Sequence, residues 1–286
     1  KYNNVTDLKN NLFGSFSATL KPFKWLSFSS TNTLTLTNVN TNDYLDSRTY
    51  SGNHSRNEMS NGVLKVDDER SWTFLTSNIL RLQHSFGEHN LSGLVGQEWY
   101  ERHTRSSHIE MYDQMIAGER NVGGFSKQGD KTNPAVIPTG AERESGSFSV
   151  FSEVNYNYAG KYMASASFRT DGSTNFGKDN RYGTFYSFSG SWLVSREAFM
   201  ARQDVVSNLK LRMSYGTSGK EAGMDYLNYT LYSTSNTTFD YYRDHPVYQS
   251  AYGATINQLG NDQLSWETAY NLNIGVDVAL LDNRIS

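Results

Sequence analysis

The sequence predicts an all-β chain that forms part of a transmembrane antiparallel up-and-down β-barrel, with about nine strands and long outer loops. Three observations predict this class. Apolar and polar side chains alternate with period two over stretches of about ten residues, the length of a tilted strand that crosses a bilayer. Aromatic residues, which favour pleated sheets, make up 14 % of the chain. Short and long connections alternate between the stretches, as they do on the two sides of an outer-membrane barrel.

The composition excludes several other classes of protein. The chain has 286 residues, of which 37 % are hydrophobic, and no window approaches the roughly 18 to 20 apolar residues of a spanning helix. A strand needs apolar side chains on one face only, so a low hydropathy is compatible with a membrane barrel. With no Cys, the chain has neither a disulfide framework nor a thiolate metal site. Its net charge of -3 and scattered basic residues argue against a nucleic-acid surface.

The first four predicted strands lie in the N-terminal part of the chain. They are Leu12–Leu20, Trp25–Thr37, Trp72–Phe86 and Leu91–Arg102. The third of them has apolar residues on both parities, Phe74 and Leu80 on one and Leu75 and Ile79 on the other. Its inner and outer faces are therefore not assigned from the pattern.

The five later strands alternate more strictly. They are Ser147–Tyr158, Lys161–Thr170, Thr184–Leu193, Leu209–Gly216 and Tyr270–Leu280. In the last of them, Leu272, Ile274 and Val276 share one parity, and Asn271 and Asp277 share the other. Only the dipeptide 159–160, Ala-Gly, separates the first two, which predicts a tight hairpin.

The connections differ in length in a regular way. The short ones are 21–24, 87–90, 159–160 and 281–283; the long ones are roughly 38–70, 103–146 and 217–263; and 171–183 is intermediate. The segment 194–208 breaks the rule, because it falls on the short side and is about fifteen residues long; a helical turn is expected there at 197–200. Loops of such lengths without structure are unusual in a compact soluble domain.

A barrel must close, because every backbone N–H and C=O in hydrocarbon needs a partner within the protein. Nine strands are an odd number, whereas bacterial barrels have an even one. The first residues carry no signal peptide, and 282–286 follow a turn where another strand is expected. We therefore expect both ends to be boundaries of a fragment of a larger closed sheet.

Several stretches carry a resemblance to a known family. They are 86–91 (FGEHNL), 155–162 (NYNYAGKY), 168–177 (FRTDGSTNFG), 188–192 (FSGSW), 197–200 (EAFM), 209–219 (LKLRMSYGTSG), 264–268 (LSWET), 273–277 (NIGVD) and 282–286 (DNRIS). In order and spacing they resemble the C-terminal barrel half of SusC/RagA-type TonB-linked outer-membrane transporters of Bacteroidetes. The similarity covers most of 70–102 and 147–286.

The resemblance implies a barrel of roughly 22 strands with a plug in its lumen. It implies a location in the outer membrane, energy from an inner-membrane TonB complex, a SusD-like surface lipoprotein as partner, and oligosaccharides or peptides as substrates. On this interpretation, 1–286 is a partial β-barrel domain, and the plug domain, the TonB box and the last strand are absent from it. No cofactor is implied.

Two sets of candidate site residues follow. Polar residues expected to face the lumen, where they would line a path or contact the plug, are Glu153, Asn155, Arg169, Arg212, Asn271 and Asp277. Candidates for contact with a ligand or the lid lipoprotein are the loop tyrosines Tyr226, Tyr229, Tyr232, Tyr241, Tyr242, Tyr248 and Tyr252. The competing interpretation of these tyrosines is a loop that packs on itself and on the barrel rim. Five aromatic residues are expected at the lipid–water boundary: Trp25, Trp99, Tyr158, Trp192 and Trp266.

Weaker alternatives remain open at this point. Asp171, Gly172 and Ser173, with Asp179 nearby, are a candidate for calcium binding in an outer loop, although a plain turn explains them better. A passive porin, an outer-membrane barrel enzyme and a soluble carbohydrate-binding β-sandwich are the rival functions. No residues form a recognisable nucleophile with its base, so the chain is not expected to be an enzyme.

Overall fold

The computed structural model describes residues 2–53, 61–128, 139–203, 205–221, 226–235, 253–281 and 283–285. The twelve strands are β1 (Asn4–Phe23), β2 (Leu26–Leu45), β3 (Val63–Phe86), β4 (His89–Gln114), β5 (Phe125–Gln128), β6 (Thr139–Tyr158), β7 (Tyr162–Ser173), β8 (Tyr182–Leu193), β9 (Val206–Lys220), β10 (Leu231–Ser235), β11 (Gly253–Gln258) and β12 (Glu267–Leu280). Short helical turns lie at Tyr50–Asn53, Val122–Gly124, Val194–Arg196 and Ala198–Met200. None of the helices in these ranges has the length and apolar character needed to cross a bilayer.

Nine long strands form one antiparallel sheet in the order β1-β2-β3-β4-β6-β7-β8-β9-β12, with β5 paired to β4. The nine predicted strands fall within these nine, apart from Trp25 and Lys161, which each begin a prediction one residue early. The predicted all-β, up-and-down class is thereby confirmed. β10 and β11 form a separate hairpin within the loop that precedes β12.

The predicted tight turn between β6 and β7 is also confirmed. Ala159 and Gly160 both have positive φ, at 54° and 65°, and the Lys161 N–H donates to the Tyr158 carbonyl at 2.9 Å. Two successive residues of positive φ give the turn the twist that matches antiparallel strands. On the same side of the sheet, the predicted helical turn at 197–200 is present as Ala198–Met200.

The predicted boundaries of two long loops are wrong. β2 continues to Leu45, β3 starts at Val63 and β4 runs to Gln114, so much of 38–70 and 103–146 is strand. At about 3.4 Å per residue, the 26 residues of β4 extend roughly 85 Å, far more than the hydrocarbon core of about 30 Å. At the far ends of β3 and β4 neighbouring residues of both faces are buried, such as Val63 with Leu64 and Met111 with Tyr112, so the apolar alternation stops although the backbone ladder continues.

The register gives the sheet two unlike faces. Directly paired residues lie on the same face of an antiparallel sheet, and Leu272, Ile274 and Val276 pair with Tyr215, Met213 and Leu211. This apolar side, called the outer face below, continues across the sheet through the following residues: Leu12, Phe16, Leu20, Phe28, Leu34, Leu80, Val95, Val154, Phe168 and Phe188.

The outer face is open rather than packed. Leu272, Ile274 and Val276 are 59, 74 and 58 % exposed. Large apolar side chains left uncovered over a whole sheet face require an apolar surrounding. This exposure contradicts the soluble β-sandwich, in which the same residues would form a core.

Buried core is concentrated at the long-loop end of β2, β3 and β4. Tyr44, Leu64, Met111 and Phe125 pack together there, and each is less than a tenth exposed. Beside them the Asp46 carboxylate is 1 % exposed. It accepts hydrogen bonds from Arg48 Nη2 at 2.7 Å and from the Tyr44 hydroxyl at 3.0 Å. These strand ends therefore carry a small folded unit, which we call the rim core (Tyr44, Asp46, Leu64, Met111 and Phe125).

We expect Asp46→Asn to loosen the rim core. Hydrogen bonds from Arg48 hold the pKa of Asp46 well below its ordinary range, and the loss of such charged bonds costs about 1.5–3 kcal/mol. Hydrogen–deuterium exchange over 44–53 and 109–125 should accelerate. Because the pKa is lowered in the folded state, the stabilisation is present above the pKa of an unfolded Asp, about 3.9, and is lost as the pH falls towards the folded value.

The matched control for this experiment is Asp262→Asn, since Asp262 is exposed in a loop. Its exchange over the same two segments should equal that of the unmodified chain. Equal acceleration in both variants would contradict a specific role for Asp46.

Candidate functional site: the polar inner face

All six polar residues predicted to face the lumen lie on one face of the sheet. Asn271 pairs with Gly216 and Asp277 with Lys210, so both share a face with Arg212. Following the pairs through β8, β7 and β6 brings Arg169, Asn155 and Glu153 onto that face as well. We call the face that carries these six residues the inner face. Their contact with a plug or a ligand stays a prediction.

Serine hydroxyls line the inner face across β7 and β8. The Ser165 and Ser189 hydroxyls lie 2.6 Å apart, and those of Ser167 and Ser187 lie 2.7 Å apart. Ser191 and Ser214 continue the row towards β9. In each pair one hydroxyl donates a hydrogen bond to the other. We call these residues the serine row (Ser165, Ser167, Ser187, Ser189, Ser191 and Ser214). The row presents small polar groups and no charge. These serines were not among the predicted site residues, although their period-two spacing is visible in the sequence.

Charged groups cluster on the inner face, on the long-loop side of the serine row. Arg169 Nε donates to Asp171 Oδ1 at 2.6 Å, and its Nη2 donates to the Ser149 hydroxyl at 3.0 Å. The guanidinium lies 5.2 Å from the centroid of the Phe151 ring and 3.5 Å from a Glu98 oxygen. Arg169 is therefore held from several sides, and this charged cluster is a fixed feature of the wall.

Two smaller polar contacts lie on the same face, nearer the short turns. Asn155 Nδ2 donates to Glu153 Oε1 at 2.6 Å, and Arg212 pairs with Asp277 at 3.3 Å. Both members of the ion pair are about half exposed, so water screens it and it contributes little to stability. Its groups remain exposed on the inner face.

A hollow lies on the inner face over the serine row. It has a volume of about 790 Å³ and extends from β3 to β12. Its lining includes Asn155, Ser165, Ser189, Arg212 and Asn273. Three of the six predicted lumen residues thus lie in or beside one polar hollow: Asn155 and Arg212 line it, and Glu153 contacts Asn155.

The loop tyrosines fall into three groups. Tyr226 packs on the barrel rim, where its hydroxyl accepts from the Glu144 N–H at 2.6 Å and donates to the Glu144 carbonyl at 3.1 Å. Tyr229 and Tyr232 are 53 and 63 % exposed. Tyr241, Tyr242, Tyr248 and Tyr252 lie outside the described residues. Rim packing thus accounts for Tyr226, and ligand contact by the others stays a prediction.

Aromatic residues form a belt on the outer face near the short turns. Ring centroids are 4.8 Å apart for His89 and Tyr158, and 6.3 Å apart for both Tyr158–Tyr162 and Tyr162–Trp192. Glu197 accepts from the Tyr162 hydroxyl at 2.6 Å and from Trp192 Nε1 at 3.0 Å. Tyr158 and Trp192 therefore lie where a boundary belt was expected.

The boundary prediction is wrong for Trp266. Its ring packs on Phe176 and Phe185, with centroids 5.1 and 5.7 Å apart, and its Nε1 donates to the Arg181 carbonyl at 3.0 Å. Phe185 pairs with Arg169 and so belongs to the inner face. Trp266 lies before β12 and packs through a tertiary contact that its sequence position does not reveal.

The candidate calcium segment is also arranged differently from the expectation. Asp171, Gly172 and Ser173 are the last residues of β7 rather than a loop, and Asp171 is paired with Arg169. The Ser173 hydroxyl donates to Glu221, and Asp179 is exposed in the next loop. In the described ranges no three His, Asp or Glu side chains converge as metal ligands would.

Comparisons with known proteins agree with this architecture. The family described as TonB dependent receptor-like, beta-barrel matches residues 1–286. TonB-dependent receptor P26 of Formosa agariphila is 29 % identical over 284 residues, which is 97 % of this chain and 27 % of that protein. TonB-dependent receptor SusC of Bacteroides thetaiotaomicron is 34 % identical over 139 residues, 48 % of this chain and 14 % of SusC. The chain thus spans about a quarter or less of these relatives.

A solved structure shares the fold. The RagAB peptide transporter superposes with a TM-score of 0.80 at 23 % identity, covering 99 % of this chain and 29 % of that one. The family match over the whole chain and the two-faced antiparallel sheet agree, so the chain belongs to the β-barrel family of TonB-dependent receptors, proteins of the bacterial outer membrane.

Proposed function

We propose that the chain forms nine strands of the wall of an energised outer-membrane importer of oligosaccharides or peptides. The observation that carries the proposal is the division of one sheet into an apolar outer face and a polar inner face with a hollow of about 790 Å³. Lipid covers the first face, and the second lines a polar interior. The family membership supplies the importer class.

In this proposal the remaining parts of the importer belong to the full-length protein. The matched residues cover 27 % of the P26 receptor and 14 % of SusC, which leaves ample length for further strands, a plug and a TonB box. In this proposal 1–286 is a partial barrel domain. Ligand is caught by the outer loops and a SusD-like lipoprotein, and TonB then moves the plug to open a path along the wall.

The inner face is suited to two kinds of contact with such a plug. The charged cluster around Arg169 holds its groups in fixed positions, which favours a stationary contact. The serine row presents hydroxyls that are already paired with one another. A surface without unpaired charge binds a neighbour weakly, so we place the moving contact, or the path itself, over the serine row.

The outer loops supply the ligand-facing part of the proposal. Tyr229 and Tyr232 expose rings with hydroxyls, and such rings stack on sugars and pack against peptides equally well. Anchoring of Tyr226 to the rim at Glu144 brings this loop back to the barrel. A SusD-like lipoprotein closing from above would meet the same surface.

We expect uptake by the full-length protein to require the proton-motive force. In cells, a protonophore or removal of the TonB box should abolish accumulation of a labelled oligosaccharide or peptide, while surface binding is retained. Passive-porin function predicts equal uptake with and without either treatment. Uptake that persists in both would therefore contradict energised import.

We also expect Ser189→Arg in the full-length protein to lower uptake about tenfold, because an unpaired cation and a long side chain would fill the hollow over the serine row. Surface binding should stay within about twofold, since the loops are distant along the strands. The matched control is Thr31→Arg, on the inner face of β2 and outside that hollow. Uptake that falls equally in both variants, or in neither, would contradict a path at this sector.

A further inference from the structure

Two arginines lie side by side on the inner face of β4 and β6. Arg143 and Ser145 lie an even number of residues from Glu153 on β6, so both share its face. Arg102 joins them there, because it pairs directly with Ser145. Arg143 itself pairs with Thr104, which makes the two arginines diagonal neighbours at about 7–8 Å. Long side chains span that separation, so both guanidinium groups can reach one ligand.

The height of these arginines places them at the outer mouth of the lumen. On the outer face of β4, Trp99 is the last exposed large apolar residue, and Glu101 and His103 follow it. Arg102 is three residues past Trp99, which at about 3.4 Å per residue and a tilt of about 40° lies roughly 8 Å higher. We call Arg102 and Arg143 the arginine pair. The arginine pair lies just beyond the apolar band, where a ligand enters the lumen.

The arginine pair has no charged partner among the described residues. Other charged groups on the inner face are matched: Arg169 contacts Asp171 at 2.6 Å, and Lys65 contacts Glu110 at 3.2 Å. Both arginines of the pair are exposed instead. Like charges that neighbour each other on one face destabilise a sheet. In the part of the chain that the structure describes, no carboxylate offsets this repulsion, and an anionic ligand would do so.

The carboxylates that adjoin the arginine pair in sequence face the other way. Glu101, Glu142 and Glu144 each lie one residue from the arginine of their own strand, so they belong to the outer face. There His103 Nε2 lies 2.8 Å from a Glu142 oxygen and 3.6 Å from a Glu144 oxygen. The wall thus separates charge at this height, with carboxylates outside and arginines inside.

Two carboxylates share the inner face with the arginine pair, and both are separated from it. Glu98 lies four residues from Arg102 on β4, about 14 Å along the strand, and it contacts Arg169 at 3.5 Å. Glu69 pairs with Ser106, which lies four residues from Arg102 in the other direction. The local charge of the inner face at the arginine pair is therefore positive.

Hydroxyl groups surround the arginine pair. They belong to residues at the adjoining inner-face positions of β3, β4 and β6: Ser71, Thr73, Tyr100, Thr104, Ser145 and Ser147. Arginines bind carboxylate and sulfate groups through charged hydrogen bonds, and hydroxyls both donate to and accept from the hydroxyls of a sugar. The Tyr100 ring adds a face on which a sugar can stack. This combination favours an acidic sugar over an acidic peptide, because a sugar carries hydroxyls around its whole ring.

The loop tyrosines begin beside the arginine pair. The Tyr226 hydroxyl accepts from the Glu144 N–H at 2.6 Å and donates to the Glu144 carbonyl at 3.1 Å. The loop thus touches β6 one residue from Arg143. The ring centroid of Tyr229 lies 6.2 Å from that of Tyr226. A ligand held by this loop would therefore meet the arginine pair as it enters the lumen.

We propose that Arg102 and Arg143 bind the acidic groups of an oligosaccharide that carries carboxylates or sulfates. The inference rests on the proposed import function and narrows its substrate to acidic oligosaccharides. Each guanidinium donates N–H groups to an acidic group, and the surrounding hydroxyls bind the sugar rings. A positive mouth also raises the local concentration of such a ligand.

The test measures binding to the full-length protein in mild detergent by isothermal titration calorimetry. One probe is tetragalacturonate, with its fully methyl-esterified tetramer as the neutral counterpart. The other is a sulfated galactose tetrasaccharide, with its desulfated form as the counterpart. We expect at least one acidic probe to bind about tenfold more tightly than its counterpart, because charged hydrogen bonds are stronger than neutral ones. Its affinity should fall as salt is added, since the arginine pair is exposed.

The double variant Arg102→Gln/Arg143→Gln should bind that probe about tenfold more weakly and lose most of the salt dependence. The matched control is Arg105→Gln, an exposed arginine three residues further along β4 on the outer face, which should bind within about twofold of the unmodified protein. Every variant is first checked for the heat-modifiable gel mobility of a folded barrel. If the double variant fails, Arg102→Lys/Arg143→Lys replaces it. Lysines keep the charge without the planar fork, so binding should weaken about threefold and stay salt-dependent.

Three outcomes would overturn the proposal. Neither acidic probe binds more tightly than its neutral counterpart, the loss in Arg105→Gln equals that in the double variant, or tetraglutamate binds more tightly than both acidic sugars and so identifies a peptide site. The measurement needs no energy source. A failed binding test therefore leaves energised import standing, and uptake that ignores a protonophore would contradict import without changing the binding result.

Discussion

The structure depends on one constraint: within hydrocarbon every backbone N–H and C=O must find its partner in a neighbouring strand. Nine strands meet it in chain order, each antiparallel to the next. In the sheet described, β1 and β12 each have one neighbour in that order. The same ladder continues past the membrane in β3 and β4, where it no longer has to exclude lipid but supports the rim core around Asp46.

Because backbone hydrogen bonds hold the strands together, the side chains on the two faces of the sheet can differ in polarity. On the outer face Leu272, Ile274 and Val276 are uncovered, which is stable only against lipid. On the inner face the same strands carry Arg212, Asn271 and Asp277. Within that face, charge is gathered around Arg169 and hydroxyl groups are gathered on β7 and β8. A wall of this kind has distinct sectors, and only the polar ones have a functional role in the transport we propose.

Aromatic residues lie at both ends of the apolar outer face, and they contact other parts of the protein as well as the lipid boundary. Near the short turns, Tyr162 and Trp192 both bond to Glu197, so the belt fastens the turn that follows β8 to the wall. Near the long loops, Trp99, Phe148 and Tyr182 surround an open space. The difference follows from the glycines at 146 and 172, which remove the side chains that would fill it.

The sequence by itself determined the strands, the tight turn at 159–160 and the face on which Glu153, Asn155, Arg169, Arg212, Asn271 and Asp277 lie, because period two is a local property of a strand between lipid and a polar interior. It did not determine the strand ends at Leu45, Val63 and Gln114, since the alternation stops where successive residues such as Val63 and Leu64 are buried on both faces. Only the tertiary structure decided that Trp266 packs on Phe176 and Phe185 and that Ser149 and Glu98 join the Arg169 cluster. These contacts join residues distant in sequence, and no local pattern encodes which distant neighbour a side chain will meet.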